Sequence, residues 1–249
     1  MTALLRLNNV SKSFKRGGIF SRHRIEAVKG VSFTLDRDRP EIFAIIGESG
    51  SGKSTLARMI LGLQDASGGE LALDGAKIGG RTRQERLAFM GKVQPIFQNP
   101  FEAFNPLKKV DYYLLLTAIR FGGAADDTEA EMAADLALRQ VGLSLSEVRG
   151  RFPHEMSGGQ LQRVAIARAL VSKPRLIIAD EPVSMVDASL RMAIVNLFGE
   201  LRDKLGLSII YITHDLATAY YIADRLIIMQ KGEVVESGSA RAVLSDPQR

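Results

Sequence analysis

Apolar and polar residues over the first fifty positions follow the pattern of β-strands. The segments LLRLNNVSKSF (4–14), VSFTLD (31–36) and EIFAII (41–46) are rich in apolar residues, and each is bounded by polar or glycine positions. Between the first two, the basic, glycine-containing segment KRGGIFSRHR (15–24) indicates a solvated hairpin loop, with a phosphate or lipid contact as the alternative. The chain is therefore expected to open with a β-rich region.

The later part of the chain alternates between helical and strand patterns. Apolar residues recur at helical spacing over 128–141 and 157–172. Beyond them come the apolar run LIIAD (176–180), a helix near 188–205, the strand SIIYIT (208–213), a short helix and the strand RLIIM (225–229). This alternation predicts a parallel sheet covered on both faces, in one α/β domain with a β-rich edge and a helical lobe inserted around 99–170.

Composition and charge exclude several classes of protein. Of the 249 residues, 46% are apolar and 24% are charged, which excludes a disordered or collagen-like chain. Cysteine is absent, which excludes disulfide frameworks, zinc fingers and cysteine nucleophiles. The net charge of +5 is compatible with nucleic acid, anionic lipid or phosphate ligands. The first residues lack the layout of a signal peptide and no apolar stretch reaches 18 residues, so we expect a chain that is neither secreted nor membrane-spanning by itself.

A glycine-rich loop directly after the strand EIFAII matches the P-loop pattern G-x-x-x-x-G-K-[ST] at every fixed position. It consists of Gly47, Glu48, Ser49, Gly50, Ser51, Gly52, Lys53 and Ser54. Glycines let backbone N–H groups curl around phosphate oxygens, Lys53 is placed to neutralise the β and γ phosphates, and the Ser54 hydroxyl is a ligand for Mg²⁺. The sequence therefore predicts a nucleoside triphosphate site.

Two consecutive carboxylates follow the buried strand LIIAD. Asp180, at the end of the strand, is the predicted metal partner, and Glu181 is a candidate general base for hydrolysis. The alternative is a charged turn at the strand end, since Pro182 stops the strand.

The segment SGGQ begins the predicted helix at 157. Ser157 with Gln160 three residues later forms a capping-box pattern, which is a purely structural explanation. Gly158 and Gly159 are poor choices for a first helical turn, each costing about 1 kcal/mol relative to alanine. They indicate that the backbone approaches something closely, and a second nucleotide phosphate at the helix N-terminus is the natural ligand.

Together these motifs resemble those of ATP-binding-cassette (ABC) ATPases. The segments that carry the resemblance, in family order and spacing, are GESGSGKS, IFQNP (96–100), MSGGQ, LIIADE, SMVD (184–187) and His214 in YITHD. The resemblance implies an α/β P-loop NTPase with a mainly parallel core sheet, an antiparallel β subdomain and an inserted helical subdomain. We expect the β subdomain and first part of the core in 1–98, the helical subdomain in 99–170 and the second part of the core in 171–249.

The resemblance also implies a dimer in which each ATP lies between the P-loop of one subunit and the SGGQ segment of the other. It assigns catalytic roles to Glu181, His214 and Gln98, and Mg²⁺ coordination to Ser54, Gln98 and Asp180. Nucleotide contacts are implied for Phe14, Gly47, Glu48, Ser49, Gly50, Ser51, Gly52, Lys53, Ser54, Thr55, Gln98, Asp180 and His214, and, from the opposite subunit, for Ser157, Gly158, Gly159, Gln160 and Asp187. Phe14 would stack on adenine, with a buried strand phenylalanine as the alternative.

Within the family, QNPFEAFNPLKKV (98–110) is similar to a segment of ATPases that drive oligopeptide, dipeptide, nickel and some oligosaccharide importers. This similarity implies a peripheral protein on the cytoplasmic face of the inner membrane. Its partners would be a second ATPase, identical or paralogous, membrane-embedded permease subunits and an external solute-binding protein. The chain departs from the family pattern at Met156, Val186 and the pair Ala103 and Phe104, and its last residues, 245–249, lie where such ATPases continue into a tail.

Other residues have weaker interpretations. Tyr112, Tyr113 and Leu114–Leu116 lie where the family receives a helix of the membrane subunit, or alternatively on an internal helix face. His23 and His154 are predicted to be loop residues, and Arg163 and Arg168 to form surface or interface ion pairs.

Two rival functions remain at this point. A nucleic-acid machine is compatible with the pI near 9.5, but the chain has no long coiled-coil or zinc insertion and one cassette only. The function of a small-molecule kinase would leave the MSGGQ segment and His214 without a role. The sequence therefore favours an importer ATPase using ATP and Mg²⁺ without a nucleic-acid partner, and leaves the solute to other subunits.

Overall fold

The computed structural model describes residues 2–15, 24–80 and 82–245. Most of the segment 15–24, including His23, therefore lies outside the described residues, as does most of 245–249. The described residues fall into two compact units, Met1–Arg81 with Ser208–Arg249, and Thr82–Leu207. The division expected from the sequence, at 98 and 170, stays a prediction.

The described part of the chain opens with three strands, and helices and strands are mixed after them. In chain order they are β1 (Ala3–Lys15), β2 (Arg24–Asp36), β3 (Ile42–Ile46), α1 (Lys53–Ile60), β4 (Gly68–Leu73), β5 (Ala76–Lys77), α2 (Arg83–Lys92), β6 (Val93–Ile96), α3 (Val110–Thr117), α4 (Asp127–Gln140), α5 (Leu145–Val148), α6 (Gly158–Val171), β7 (Leu176–Asp180), α7 (Ala188–Leu205), β8 (Ser208–Thr213), α8 (Leu216–Ile222), β9 (Arg225–Gln230), β10 (Glu233–Ser239) and α9 (Ala240–Ser245).

The first unit contains an antiparallel sheet in the order β2-β1-β4-β5. Leu5, Leu7 and Val10 of β1 are buried, and Leu71 and Leu73 of β4 pack on the same side of the ladder as core residues. The β-rich opening is confirmed, and β2 begins seven residues before the VSFTLD segment from which it was predicted.

The same unit contains β3, which lies between β8 and β9 and is parallel to both, while β10 pairs antiparallel with β9. All five residues of β3 are buried, as are all six of β8. Continuous apolar runs of this kind are typical of strands covered on both faces. The parallel arrangement predicted for the core strands is confirmed for these pairs.

The second unit combines a bundle of helices with a parallel pair of strands. Helices α3, α4 and α6 pack against one another, and the buried side of α4 is formed by Ala130, Ala134, Ala137 and Leu138. Small alanine side chains allow close helix packing. Strands β6 and β7 run parallel, with Val93 opposite Leu176 and Ile96 opposite Ala179. Their carboxyl ends therefore lie at one edge.

None of the helices in the described part of the chain combines the length and apolar character that crossing a bilayer demands.

Candidate functional site

The loop after β3 leads directly into α1 through a left-handed glycine. Gly52 is the N-cap residue of α1, with φ of 106°, and no side chain caps the helix there. The N–H groups of the first helical turn have no partner within the helix. Because α1 starts at Lys53, the N–H groups of its first turn and the positive end of the helix dipole lie directly beside the loop glycines. This arrangement favours the binding of an anion.

Two glycines of this loop are required by close packing. A Cβ placed on Gly47 would lie 2.2 Å from the carbonyl oxygen of Met229, and one placed on Gly52 would lie 2.2 Å from the carbonyl oxygen of Ala27. The loop is also held by a hydrogen bond of 3.0 Å from the N–H of Gly232 to the carbonyl oxygen of Ser51. Backbone packing therefore fixes the shape of the loop.

Lys53 and Ser51 supply polar groups inside the loop. Lys53 is buried, and its Nζ donates hydrogen bonds to the carbonyl oxygens of Gly47, at 2.7 Å, and Glu48, at 2.9 Å. The Oγ of Ser51 is buried and has no hydrogen-bond partner among the described residues. A buried ammonium, an unpaired hydroxyl and uncapped helix N–H groups are the donor set that a chain of phosphates needs, so these residues fit a nucleotide. Ser54 is exposed and Thr55 is half-buried, both in the first turn of α1.

Gln98 and Glu181 meet in the second unit. The Nε2 of Gln98 donates a hydrogen bond of 3.1 Å to the Oε2 of Glu181. This contact follows from the parallel pairing of β6 and β7, because Gln98 comes just after one strand and Glu181 just after the other. Asp180 is the last residue of β7 and is half-buried. The structure thus brings together two of the residues that sequence reasoning assigned to catalysis.

The SGGQ segment begins α6 as the capping box predicts. The Oγ of Ser157 accepts from the N–H of Gln160, and the Oε1 of Gln160 accepts from the N–H of Ser157, both at 3.2 Å. Gly158 is half-buried and open, since a Cβ there would lie 3.8 Å from the carbonyl oxygen of Met185, an ordinary contact. Gly159 is buried against α7. Local packing therefore explains one glycine of the pair and leaves the other unexplained.

Asp187 is the N-cap residue of α7, yet its side chain makes no capping hydrogen bond. It is exposed, and only its carbonyl oxygen serves the helix, accepting from the N–H groups of Leu190, at 2.9 Å, and Arg191, at 3.0 Å. Its carboxylate is therefore presented at the surface of the second unit, two residues after Met185, whose carbonyl oxygen is the nearest atom to a Cβ placed on Gly158.

Phe14 and His214 both belong to the first unit. Phe14 lies on β1 with 38% of its surface exposed, and the Nζ of Lys12 lies 5.4 Å from the centre of its ring. The alternative of a buried strand phenylalanine is therefore wrong, and an exposed ring suits stacking on a base. His214 is exposed and follows β8, just before Asp215, whose Oδ1 accepts from two N–H groups at the start of α8.

The segment after Gln98 mixes surface and core residues. Phe101 is 47% exposed, whereas Phe104 is only 3% exposed and packs edge-to-face on Tyr113, with ring centres 5.3 Å apart. On α3, Tyr112 is exposed and Leu114 is fully buried. The buried Leu114 fits an internal helix face, while contact of the exposed Tyr112 with a membrane subunit stays a prediction.

Arg163 and Arg168 form no surface ion pair among the described residues, while an ion pair across a subunit interface stays a prediction. The guanidinium of Arg163 donates to the carbonyl oxygen of Val141 at 2.8 Å, and that of Arg168 donates to the carbonyl oxygen of Ala103. Burial lowers the pKa of the Arg168 guanidinium, which lies 5.7 Å from the ring of Phe104. These arginines satisfy backbone carbonyls within the unit, and nothing in the helical pattern distinguishes that use from a surface ion pair.

His154 lies in a short 3₁₀ helix, Pro153–Glu155, and its ring stacks on that of Phe152. Its prediction as a loop residue is therefore wrong. Within residues 2–15, 24–80 and 82–245, no three His, Asp or Glu side chains are grouped so that they could hold a metal ion by themselves.

Comparison with known proteins identifies the family. The family model described as "ABC transporter" matches residues 28–184. The oligopeptide transport ATP-binding protein AmiF of Streptococcus pneumoniae is 38% identical over 98% of this chain and 77% of its own length. The dipeptide transport ATP-binding protein DppF of Escherichia coli K12 is 39% identical over 93% of this chain and 68% of its own length.

A solved structure supports the same assignment. It is a dimeric post-hydrolysis state of the ATP-binding cassette MJ0796 bound to ADP and Pi, which is 30% identical to this chain, has a TM-score of 0.82, and covers 95% of this chain and 99% of the solved one. The fold is thus that of an ABC cassette, as the motifs implied. With its similarity to transport ATP-binding proteins over nearly the whole of its length, this chain belongs to the ABC transporter family, as one of its ATP-binding ATPase subunits.

Proposed function

We propose that this ATPase subunit powers the import of a small solute, with an oligopeptide or dipeptide as the first candidate, through separate membrane-embedded permease subunits. The observation that carries the proposal is the similarity to AmiF and DppF, whose names specify oligopeptide and dipeptide transport, over almost the whole chain. Nickel and oligosaccharides are the alternative solutes within the importer group.

The working unit in this proposal is a pair of ATPase subunits, identical or paralogous. The dimeric state of MJ0796 supports pairing. Each ATP would lie between the loop Gly47–Thr55 of one subunit and the segment Ser157–Gln160 of the other, with Asp187 facing the opposite subunit. The exposed positions of Ser157, Gln160 and Asp187 are compatible with a role across an interface.

Within one subunit, different residues would bind the phosphates, the adenine and the metal ion and carry out proton transfer. Lys53, Ser51 and the N–H groups of α1 would bind the phosphates, and Phe14 would stack on the adenine. Mg²⁺ would be held by Ser54, Gln98 and Asp180 together with phosphate oxygens, and would neutralise charge that develops on the γ-phosphate. Glu181 would accept a proton from the attacking water, and His214 would donate a hydrogen bond to the γ-phosphate.

The protein would act peripherally on the cytoplasmic face of the inner membrane. Phe101, exposed in the segment similar to that of importer ATPases, is the first candidate for contact with the permease. An external solute-binding protein would deliver the solute to that permease. The rival function, an ATPase acting on nucleic acid, is supported only by the basic net charge.

The test measures ATP hydrolysis by the chain alone and with its permease subunits in lipid. We expect low or uncoupled turnover alone, and a rate that rises in the complex and responds to a loaded solute-binding protein, because subunit closure has to be coupled to the pore. The same assay with duplex DNA and RNA is the control. Stimulation by nucleic acid, with affinity falling steeply as salt rises, would contradict the importer function.

A further inference from the structure

Glu181 has a backbone conformation that few residues with a side chain adopt. Its φ is 46°, in the left-handed region, directly after the extended residues of β7. Such a conformation costs on the order of 1–3 kcal/mol and persists only where surrounding contacts hold it. Gln98 donates a hydrogen bond to the carboxylate of Glu181, so both the backbone and the side chain of Glu181 are held by neighbouring groups.

Ser184 supplies the contacts that hold this conformation. Its Oγ donates a hydrogen bond of 2.9 Å to the carbonyl oxygen of Glu181, and its N–H donates one of 3.2 Å to the same oxygen. The turn continues with a bond of 3.2 Å from the N–H of Val186 to the carbonyl oxygen of Val183, and both valines are buried. The Ser184 hydroxyl thus adds a side-chain hydrogen bond to the backbone bonds of the turn that follows Glu181.

We propose that Ser184 is a positioning residue for ATP hydrolysis: its hydroxyl holds the left-handed backbone of Glu181 and so aims the carboxylate. This proposal rests on the proposed role of Glu181 as the proton acceptor. Without the Ser184 hydroxyl, the Glu181 carbonyl keeps the hydrogen bond from the Ser184 N–H but loses the one from the Oγ, and the peptide group after Glu181 gains freedom to rotate. Because the direction of the Glu181 side chain depends on that backbone, the carboxylate then samples more than one position.

The chain offers a matched control in the same unit. Ser172, at the end of α6, also donates from its Oγ to the carbonyl oxygen of a residue three positions earlier, Ala169, at 3.1 Å. Ser172→Ala removes the same kind of hydrogen bond as Ser184→Ala, but at a position that is separated in sequence from both Gln98 and Glu181. Any general effect of losing a serine hydroxyl should therefore appear in both variants.

The experiment compares Ser184→Ala, Ser184→Thr, Ser172→Ala and Glu181→Gln in the full chain. The rate of single-turnover hydrolysis at saturating ATP and Mg²⁺ should fall about five- to tenfold in Ser184→Ala, the scale of one hydrogen bond. It should recover to within about twofold in Ser184→Thr, which keeps a hydroxyl, and stay at the wild-type value in Ser172→Ala. ATP affinity measured without metal should be the same in all four variants.

Hydrogen exchange of the nucleotide-free protein gives a second readout. Backbone amides in 181–187 should exchange faster in Ser184→Ala than in the wild type or Ser172→Ala, because a turn hydrogen bond is lost. A wild-type rate in Ser184→Ala, or a loss that Ser184→Thr shares in full, would overturn the positioning role. Rapid hydrolysis by Glu181→Gln would instead overturn the role of Glu181 in the proposed function, so the two failures are distinguishable.

Discussion

Gly159 faces Leu190 so closely that a Cβ at position 159 would lie 2.8 Å from the Cδ1 of Leu190. Real Cβ contacts are longer, so the first turn of α6 approaches the first turn of α7 because Gly159 has no side chain. Gly158, its neighbour, has no such partner: the atom nearest to a Cβ there, the carbonyl oxygen of Met185, would lie at 3.8 Å. The hypothesis of a phosphate at this helix N-terminus therefore depends on Gly158.

Gly158→Asp should abolish hydrolysis while leaving the fold intact. An aspartate in the first turn of α6 has room and interacts favourably with the helix dipole, so the free energy of unfolding should be unchanged or raised by about 0.5 kcal/mol. In the dimer it would place negative charge where the γ-phosphate of the opposite subunit docks. ATP binding to the monomer, thermal unfolding and turnover are the three measurements. Loss of monomer binding together with turnover would make the segment a folding element only.

Glu181→Gln should keep ATP binding and reduce turnover by about 10²-fold or more, the usual scale for loss of a general base. The amide preserves the size of the side chain and can still hydrogen-bond with Gln98, so the site should keep its shape. ATP should then trap the closed dimer, which size-exclusion chromatography with and without ATP detects. Turnover near that of the wild type in the assembled complex would exclude Glu181 as the base.

Lys53→Ala should weaken ATP binding itself. Its buried ammonium, held by the carbonyl oxygens of Gly47 and Glu48, is a ground-state partner for phosphate, so its loss is expected to cost about 1.5–3 kcal/mol of binding free energy. Titration with nucleotide distinguishes this variant from Glu181→Gln. Lys77→Ala, which removes an exposed lysine of β5 in the same unit, is the charge-matched control and should bind ATP as the wild type does.

Gly52→Ala should disrupt the phosphate-binding loop more than Gly50→Ala does. Both glycines are left-handed, with φ of 106° and 79°, so an alanine at either position is strained by about 1–2 kcal/mol. Only Gly52 adds a clash, with the carbonyl oxygen of Ala27, since a Cβ on Gly50 would meet nothing within 4 Å. Thermal unfolding should therefore separate the two variants. Equal stability losses would contradict the packing argument.

Phe101→Ala and Phe104→Ala should have different effects. Phe104 is a core residue packed on Tyr113 and near Arg168, so its loss should cost about 3–5 kcal/mol of folding stability. Phe101 is half exposed, so its loss should leave unfolding nearly unchanged and weaken assembly with the permease subunits. Co-purification with the permease and chemical denaturation measure the two effects. Normal assembly of Phe101→Ala would remove this residue from the proposed contact.

The sequence by itself determined the features that depend on neighbours within a few positions. Strand and helix periodicity placed β7, α7 and β8 at their observed positions, and the capping box of Ser157 and Gln160 formed as its spacing predicted. The P-loop pattern likewise indicated phosphate chemistry, because its glycines, lysine and serine are consecutive. These features need only local geometry, which residue order specifies directly.

Only the tertiary structure decided which distant residues meet and which are buried. The contact of Gln98 with Glu181 joins residues 83 positions apart and exists because two strands pair in parallel. The periodicity of the sequence does not show that Phe104 is buried while Phe101 is exposed. Nor does it show that Arg168 donates a hydrogen bond to a backbone carbonyl and not to a carboxylate. The left-handed backbone of Glu181 also had no signature in its residue type. Each of these features depends on packing between segments that are far apart in the chain. The free energy of such a contact depends on how well the two surfaces fit together, which the sequence of one segment alone does not specify.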